Sequence, residues 1–516
     1  MTNSSNDELR FNAFEDDWLP LMQEDGTTKW ASPIAVLCGE KDGVDLDYPR
    51  DDFRVYARLL LSSLVQAVFP AANKQELNVR LERPLLRADV ENRLKSIRED
   101  FNLFGATPFL QVMPPGVASK SEGAAPFVFP HEDLFRAGIE ASALSLPIAL
   151  IVLFAEQTFA GGAGRGYGAG PGGQPGALTL IDPGTVRQGA WANTLTADTV
   201  EATYSKDEKR PWRNELLPAR PRAAIGIVGG LLFQVRSIWL IPDGMGRCSC
   251  SGLEGPLVHI SPLLPKSQLA KKIAGKEDLW RHPCSPLAVN SQGIGVIRLN
   301  SAQPAWTGLA QLLDPLSRET KKKRHPAEGP APVLTQWRQL ACRPRRPRLL
   351  VLDFERDKAT IRQRFFESYP LTAGLLEKDT IERLRMVLKD AQDVQRSLER
   401  ALVRAHDDRK QGGLALADAQ ATFWALSESP FLQWLSVSTR GNVEEESDEQ
   451  KIQQAHLEMF SQIRSTAMNL FDSHISISEF DPRKQKRIAE ARSQLLGALF
   501  TKARLSDTGV PATEVH

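Results

Sequence analysis

The chain has 516 residues, enough for two or more domains with ample core. Its 64 Lys and Arg stand against 63 Asp and Glu, a formal net charge of +1, which excludes a global field that would drive it onto nucleic acid; any such binding has to come from local patches. Five cysteines are too few for a disulfide scaffold of this size and point to a reducing, cytoplasmic setting, and the polar start Met1-Thr2-Asn3-Ser4-Ser5 has neither the basic nor the apolar region of a signal peptide.

Taken in chain order, the first helical pattern follows Pro49-Arg50-Asp51-Asp52. Over residues 53–69 it sets Tyr56, Leu59, Leu60, Leu64 and Val68 on one face, with Asp51 or Asp52 as N-cap. The longest apolar run, residues 141–154, is interrupted by Pro147 and is shorter than the roughly 20 residues of a membrane helix. It leads into residues 161–176, GGAGRGYGAGPGGQPG, where nine of sixteen residues are glycine. A second apolar run, residues 177–181, follows at once, so this stretch lies between buried elements. Glycine permits close approach of main chain to a ligand and turns N–H groups outward as anion donors. Arg165 adds a charge and Tyr167 a stacking face. On composition alone the favoured reading is a flexible surface loop with no ligand.

Further on, residues 224–233, 238–241 and 295–299 read as short β-like runs amid dense proline and glycine, the mark of an irregular domain. Lys321-Lys322-Lys323-Arg324 and Arg343-Pro344-Arg345-Arg346-Pro347-Arg348 bracket a linker; such runs are either solvated loops or phosphate contacts. Residues 349–354 read as a strand. From about residue 371 the period becomes helical: Ile381, Leu384, Leu388, Ala391, Val394, Leu398 and Leu402 form one apolar face behind Asp379 as cap. Residues 414–434 give a second helix, broken or kinked at Pro430. Ile452, Met459, Ile463 and Leu470 mark a third, and Asp481-Pro482 opens a fourth. The expected fold is α+β: a large irregular mixed body over residues 1–365, a four-helix bundle over 366–506, and a disordered tail over 507–516.

Catalytic patterns are absent. Gly168, Gly170 and Gly173 spell G-x-G-x-x-G, but Pro171 lies inside it and Gln174-Pro175 stand where a dinucleotide-binding helix should begin. Cys248-Ser249-Cys250 with Cys284, and His259 or His282 as fourth partner, lacks the C-x₂₋₄-C spacing of structural zinc and reads as buried thiols. His406-Asp407 reads as a surface pair at a helix end, and His131-Glu132-Asp133 lacks the H-E-x-x-H pattern. No nucleophile–base pair stands out. The sequence reads as a binding protein with no catalytic residue, metal or cofactor.

An ordered set of motifs resembles a known family. These are Phe11-Asn12-Ala13-Phe14-Glu15-Asp16-Asp17-Trp18-Leu19-Pro20, Pro49-Arg50-Asp51-Asp52, Thr107-Pro108-Phe109-Leu110-Gln111, the glycine stretch, Cys248-Ser249-Cys250-Ser251-Gly252, Leu279-Trp280-Arg281-His282-Pro283 and Gln303-Pro304-Ala305-Trp306. Together they resemble CasA, the large subunit of type I-E Cascade, the CRISPR surveillance complex. The resemblance implies a non-catalytic subunit that reads the protospacer-adjacent motif (PAM) in double-stranded target DNA and starts strand separation. It also implies partners: the crRNA-containing backbone, handle-binding and small subunits, a helicase–nuclease, and no membrane. By the same resemblance, a glycine loop at Gly161, Gly162, Gly164, Arg165 and Gly166 contacts DNA. A lysine finger falls at Lys271, with Lys272 and Lys266 beside it. A wedge, Asn–Gln in the best-known member, falls at Asp357-Lys358, a departure from the pattern. A loop by Phe127 and Phe129 anchors the subunit to its complex. Two other readings remain: a nucleotide- or metal-dependent enzyme built on the glycine loop, and a purely structural scaffold.

Overall fold

The computed structural model describes residues 9–112, 143–158, 170–171, 176–207, 210–212, 224–235, 237–248, 250–260, 280–290, 293–299, 303–315, 329–341, 344, 346–357, 360–406, 409–439, 446–475 and 481–506. The chain divides into two compact units, one of Met1–Leu299 with Gln311–Leu371, the other of Asn300–Ala310 with Thr372–His516. The tail at 507–516 lies outside the described residues.

The first unit begins with β1 (Leu19–Met22), β2 (Thr28–Ala31), α1 (Pro33–Leu37) and β3 (Asp45–Leu46), the strands forming an antiparallel sheet in the order β2-β1-β3. Then come α2 (Asp51–Val68), α3 (Lys74–Glu82) and α4 (Arg87–Leu94). Helix α2 is buried nearly all round, which exceeds the single apolar face its spacing suggests; Arg58, Ser62, Ser63 and Gln66 are buried with its leucines. Its N-cap is Arg50, not Asp51 or Asp52, which occupy the first turn. Asp52 accepts from Arg50 Nε at 2.8 Å, so the carboxylate that favours the helix N-terminus also neutralises a buried cation.

After β4 (Leu144–Ser145), helix α5 (Leu146–Thr158) is apolar on every side and runs through the core, as that pattern requires. No described helix is long and apolar enough to cross a membrane. Strand β5 (Leu178–Asp182), α6 (Val186–Ala192) and α7 (Ala197–Thr203) follow. Residues 224–233, expected as β-like, contain instead the short helix α8 (Ile227–Leu231). The reason is Asp207, whose carboxylate accepts from the N–H groups of Val228 at 3.0 Å and Gly229 at 2.8 Å and so holds the helix start. The remaining strands are β6 (Leu240–Arg247), β7 (Glu254–Ile260), β8 (Leu287–Asn290), β9 (Gly293–Val296), β10 (Arg348–Asp357) and β11 (Thr360–Pro370), with α9 (Leu309–Leu313) and α10 (Pro332–Trp337) between. They complete two three-stranded sheets, β4-β7-β6 and β11-β10-β5, and the pair β8-β9.

The second unit holds four long helices, α11 (Lys378–Ala405), α12 (Arg409–Ser438), α13 (Glu446–His474) and α14 (Pro482–Ser506). The α+β class with a C-terminal four-helix bundle is therefore what the chain adopts. The cap of α11 is Glu377, with Asp379 in its first turn. Helix α12 runs unbroken through Pro430. Proline removes the donor to the carbonyl four residues back, on Leu426, which is exposed, while Phe431 and Trp434 next along are fully buried and hold the helix in place. Trp306 belongs to this unit: it stacks on Phe431 at 4.4 Å between ring centroids and meets Trp424 edge-on at 5.5 Å.

Candidate nucleic-acid interface

The glycine positions Gly161, Gly162, Gly164, Arg165 and Gly166 lie outside the described residues, but both ends of their stretch are fixed. Helix α5 delivers the chain at Thr158, whose hydroxyl donates to Leu231 O at 3.3 Å, and Gln157 Nε2 donates to Leu110 O at 3.1 Å. Gly170 then returns so close that a Cβ on it would lie 2.9 Å from Thr158 O. At the far end a Cβ on Gly176 would stand 2.5 Å from Ile297 O and 2.6 Å from Val296 Cβ. The stretch is thus bounded by buried anchors, and two of its glycines, Gly170 and Gly176, are required by packing alone.

The lysine candidates Lys266, Lys271 and Lys272 also fall outside the described residues, as do Phe127 and Phe129. The segment bearing the lysines leaves at Ile260, the end of β7, and returns at Trp280. Trp280 is buried, and its indole N–H donates to Gly226 O at 3.1 Å.

The wedge candidates sit on the longest strand pair. β10 and β11 pair antiparallel from Arg348↔Pro370 to Asp357↔Thr360, with an irregularity between Glu355 and Arg356. Positions 358 and 359, and so Lys358, lie between the paired strands and outside the described residues. Alternation puts Leu350, Phe354, Phe366 and Ser368 on one face, and α2 covers it: Tyr56 stacks on Phe354 at 6.3 Å, and the Arg54 guanidinium lies over the Phe366 ring at 6.0 Å. On the opposite face Asp353 is buried and accepts from Leu299 N at 2.7 Å. The base of this hairpin is therefore clamped from both sides, a rigid mount for whatever its tip carries.

The thiols and imidazoles behave as core groups. Cys284 is buried and burial raises its pKa. Its N–H donates to His282 Nδ1 at 3.1 Å, and burial brings that imidazole down to about 3, so it is neutral at working pH. Cys248 differs: hydrogen bonding from Cys250, then from Ser251 and Ser145, outweighs burial and brings its pKa down to about 4. It anchors the turn joining β6 to β7, where its N–H donates to Leu253 O at 2.8 Å and its carbonyl accepts from Gly252 N at 2.9 Å. His259 Nε2 pairs with Asp243 at 2.8 Å. His406 ends α11, its N–H donating to Leu402 O at 3.1 Å, and its pKa is lowered by partial burial and by Lys484, His474 and Arg487. Among the described residues no three His, Cys, Asp or Glu side chains are grouped to hold a metal ion.

A family model for the CRISPR-associated protein Cse1 matches residues 12–469. Among solved structures, Thermobifida fusca Cse1 superposes with a TM-score of 0.72 at 16% identity, covering 96% of this chain and 98% of that one. Thermus thermophilus CasA (Cse1) gives 0.70 at 18% identity, covering 95% and 99%. A chain from a CRISPR RNA-guided surveillance complex gives 0.62 at 16% identity, covering 94% and 99%. These similarities extend over both units, and the fold is the one those structures share.

Proposed function

The chain belongs to the CRISPR-associated Cse1 family, and on that premise we propose that it works as the large, non-catalytic subunit of a crRNA-guided surveillance complex. In this role it reads the PAM in double-stranded DNA, begins strand separation, and presents the opened DNA to a helicase–nuclease. The observation that carries the reading is the family match across residues 12–469. The glycine-rich stretch between fixed anchors and the clamped β10–β11 hairpin support it.

The chemistry suits the task. The minor groove offers little beyond A·T against G·C, so readout there is permissive. A glycine backbone enters a narrow groove that side chains cannot, and a lysine stem can follow it to the acceptors on the floor. A wedge between base pairs costs a few kcal/mol of unstacking. Guide pairing and backbone contacts offset that cost, because R-loop formation is a near-balanced exchange. A rigidly mounted hairpin suits a wedge, since a compliant one would bend before the stack opened.

The test is co-purification followed by reconstitution. The tagged chain is expected to bring down a ribonucleoprotein containing crRNA, and the complex lacking it to lose PAM-dependent binding of a target duplex. A chain that never accompanies crRNA, and whose omission leaves duplex binding unchanged, overturns the reading.

A further inference from the structure

A cavity of about 390 Å³ in the first unit is lined by four arginines and two aspartates. Helix α2 contributes Arg54 and Arg58, one turn apart on the same face. The even-numbered face of β10 contributes Arg348, and the segment just before it contributes Arg346. Three carboxylates answer these four guanidinium groups, and all three pair with the two on α2: Asp51, outside the cavity lining, lies 3.2 Å from Arg54. Asp45 takes both Arg54 and Arg58, the latter at 2.6 Å, and Asp182 lies 3.4 Å from Arg58. Among the described residues Arg348 donates to Ser368 alone, at 2.5 Å to Oγ and 3.1 Å to the carbonyl. No carboxylate among the described residues is within ion-pair distance of Arg346 or Arg348, and both are exposed at the rim.

We propose that this cavity binds a backbone phosphate of nucleic acid, with Arg346 and Arg348 as the outer donors and Arg54 as the inner one. Arg54 Nε is buried with no hydrogen-bond acceptor, a donor left over after its two terminal nitrogens have paired with Asp45 and Asp51. Burial and the neighbouring Arg58 also lower the Arg54 pKa, so an anion here would relieve a crowded pair of cations. Guanidinium groups match phosphate oxygens in pairs, which ammonium groups do not. The remaining walls, Leu350 and Phe366, are apolar and suit the sugar beside a phosphate better than a free, fully hydrated ion. The choice of nucleic acid as the source rests on the function proposed above; the excess of cations does not.

The test compares the wild-type chain with the double variant Arg346→Gln/Arg348→Gln, both rebuilt into the crRNA-containing complex. Thermal unfolding confirms that the variant folds, as expected for two exposed side chains. One arm follows affinity for a target duplex against salt, where loss of one phosphate contact should lower the slope of log K on log salt by about one. The second follows affinity of the chain for the crRNA complex without DNA, in the same way. A reduced slope in either arm supports the proposal and identifies the strand. The third arm is inorganic phosphate alone: stabilisation of wild type but not variant, with both slopes unchanged, overturns nucleic acid in favour of a free anion. No change in any arm leaves a structural arginine cluster and overturns the proposal, while wild-type binding of duplex would still uphold the function. A wild-type chain that binds neither duplex nor crRNA complex defeats both.

Discussion

Gly170 lies against the last turn of α5, so close that a Cβ would stand 2.9 Å from Thr158 O. The chain therefore returns to the helix from which the glycine-rich stretch departs, and the glycines at its described edges, Gly170 and Gly176, serve packing. Gly161, Gly162, Gly164 and Gly166 are the ones the proposed function assigns to DNA.

This division gives the first prediction. Gly176→Ala should destabilise the chain by about 1–3 kcal/mol, because its Cβ meets backbone at 2.5 Å that cannot step aside. Gly162→Val, Gly164→Val or Gly166→Val should leave urea unfolding unchanged and lower the target-duplex affinity of the assembled complex by about tenfold or more. Unchanged affinity with the subunit in place would show that the loop does not touch DNA.

His282 gives a prediction about pH. Its folded pKa is about 3, below the roughly 6.5 of an exposed imidazole. The unfolded chain therefore binds a proton that the folded one refuses. Stability is lost as pH falls below about 6.5, and the loss continues down to about 3. Between pH 7 and pH 5 this single group should remove about 2 kcal/mol. His282→Asn keeps an acceptor for the Cys284 N–H and should flatten that dependence by one proton. Equal urea midpoint shifts in wild type and variant over this range would refute it.

What the sequence disclosed follows from how local each signal is. Helices α11 and α14 and strand β10 are legible because their period or cap lies within the segment itself. Residues 224–233 misled because a short apolar run fits strand or helix, and Asp207, which decides for helix, is about twenty residues away. The burial around α2 and the placing of Trp306 among α12 aromatics needed tertiary partners. At the candidate interface, the motifs located segments but not geometry. The Arg54–Arg58 spacing was visible, yet it looks like any surface pair until Asp45, Asp182 and β10 are brought to it.

The bundle should hold no metal centre. His406 sits at the end of α11, where partial burial, and after it Lys484, His474 and Arg487, lower its pKa; the cations Lys484 and Arg487 would also repel a divalent ion. His406→Ala should leave interference in cells intact. An HD-type metal site would instead be abolished by it, together with any metal found in the purified chain.

Lys271 should enter the minor groove beside the PAM. A phosphate contact there would weaken all DNA alike and lower the salt slope by about one. A groove contact should instead penalise PAM-containing duplexes more than others. Lys271→Ala that weakens both equally would move the assignment to Lys272 or Lys266.

The last prediction concerns the hairpin. Pairing of β10 and β11 runs as far as Asp357↔Thr360, so Lys358 and Ala359 alone connect the strands. At this position the sequence carries Asp357-Lys358 in place of an amide pair, and the charges act in opposite senses near a phosphate backbone. A lysine stem can enter a base step while its ammonium reaches a phosphate, whereas a carboxylate there is repelled. Lys358 should then carry the unwinding. Lys358→Ala should slow R-loop formation on an intact duplex but spare PAM-dependent binding to a target with a pre-opened bubble beside the PAM. Permanganate reactivity of unpaired thymines reads both. Equal loss on the two substrates would make Lys358 a simple phosphate contact. No loss on either would move the wedge to Arg356 or to the basic segment ending at Arg348, and the variant Arg346→Gln/Arg348→Gln would then be expected to slow opening of the intact duplex alone.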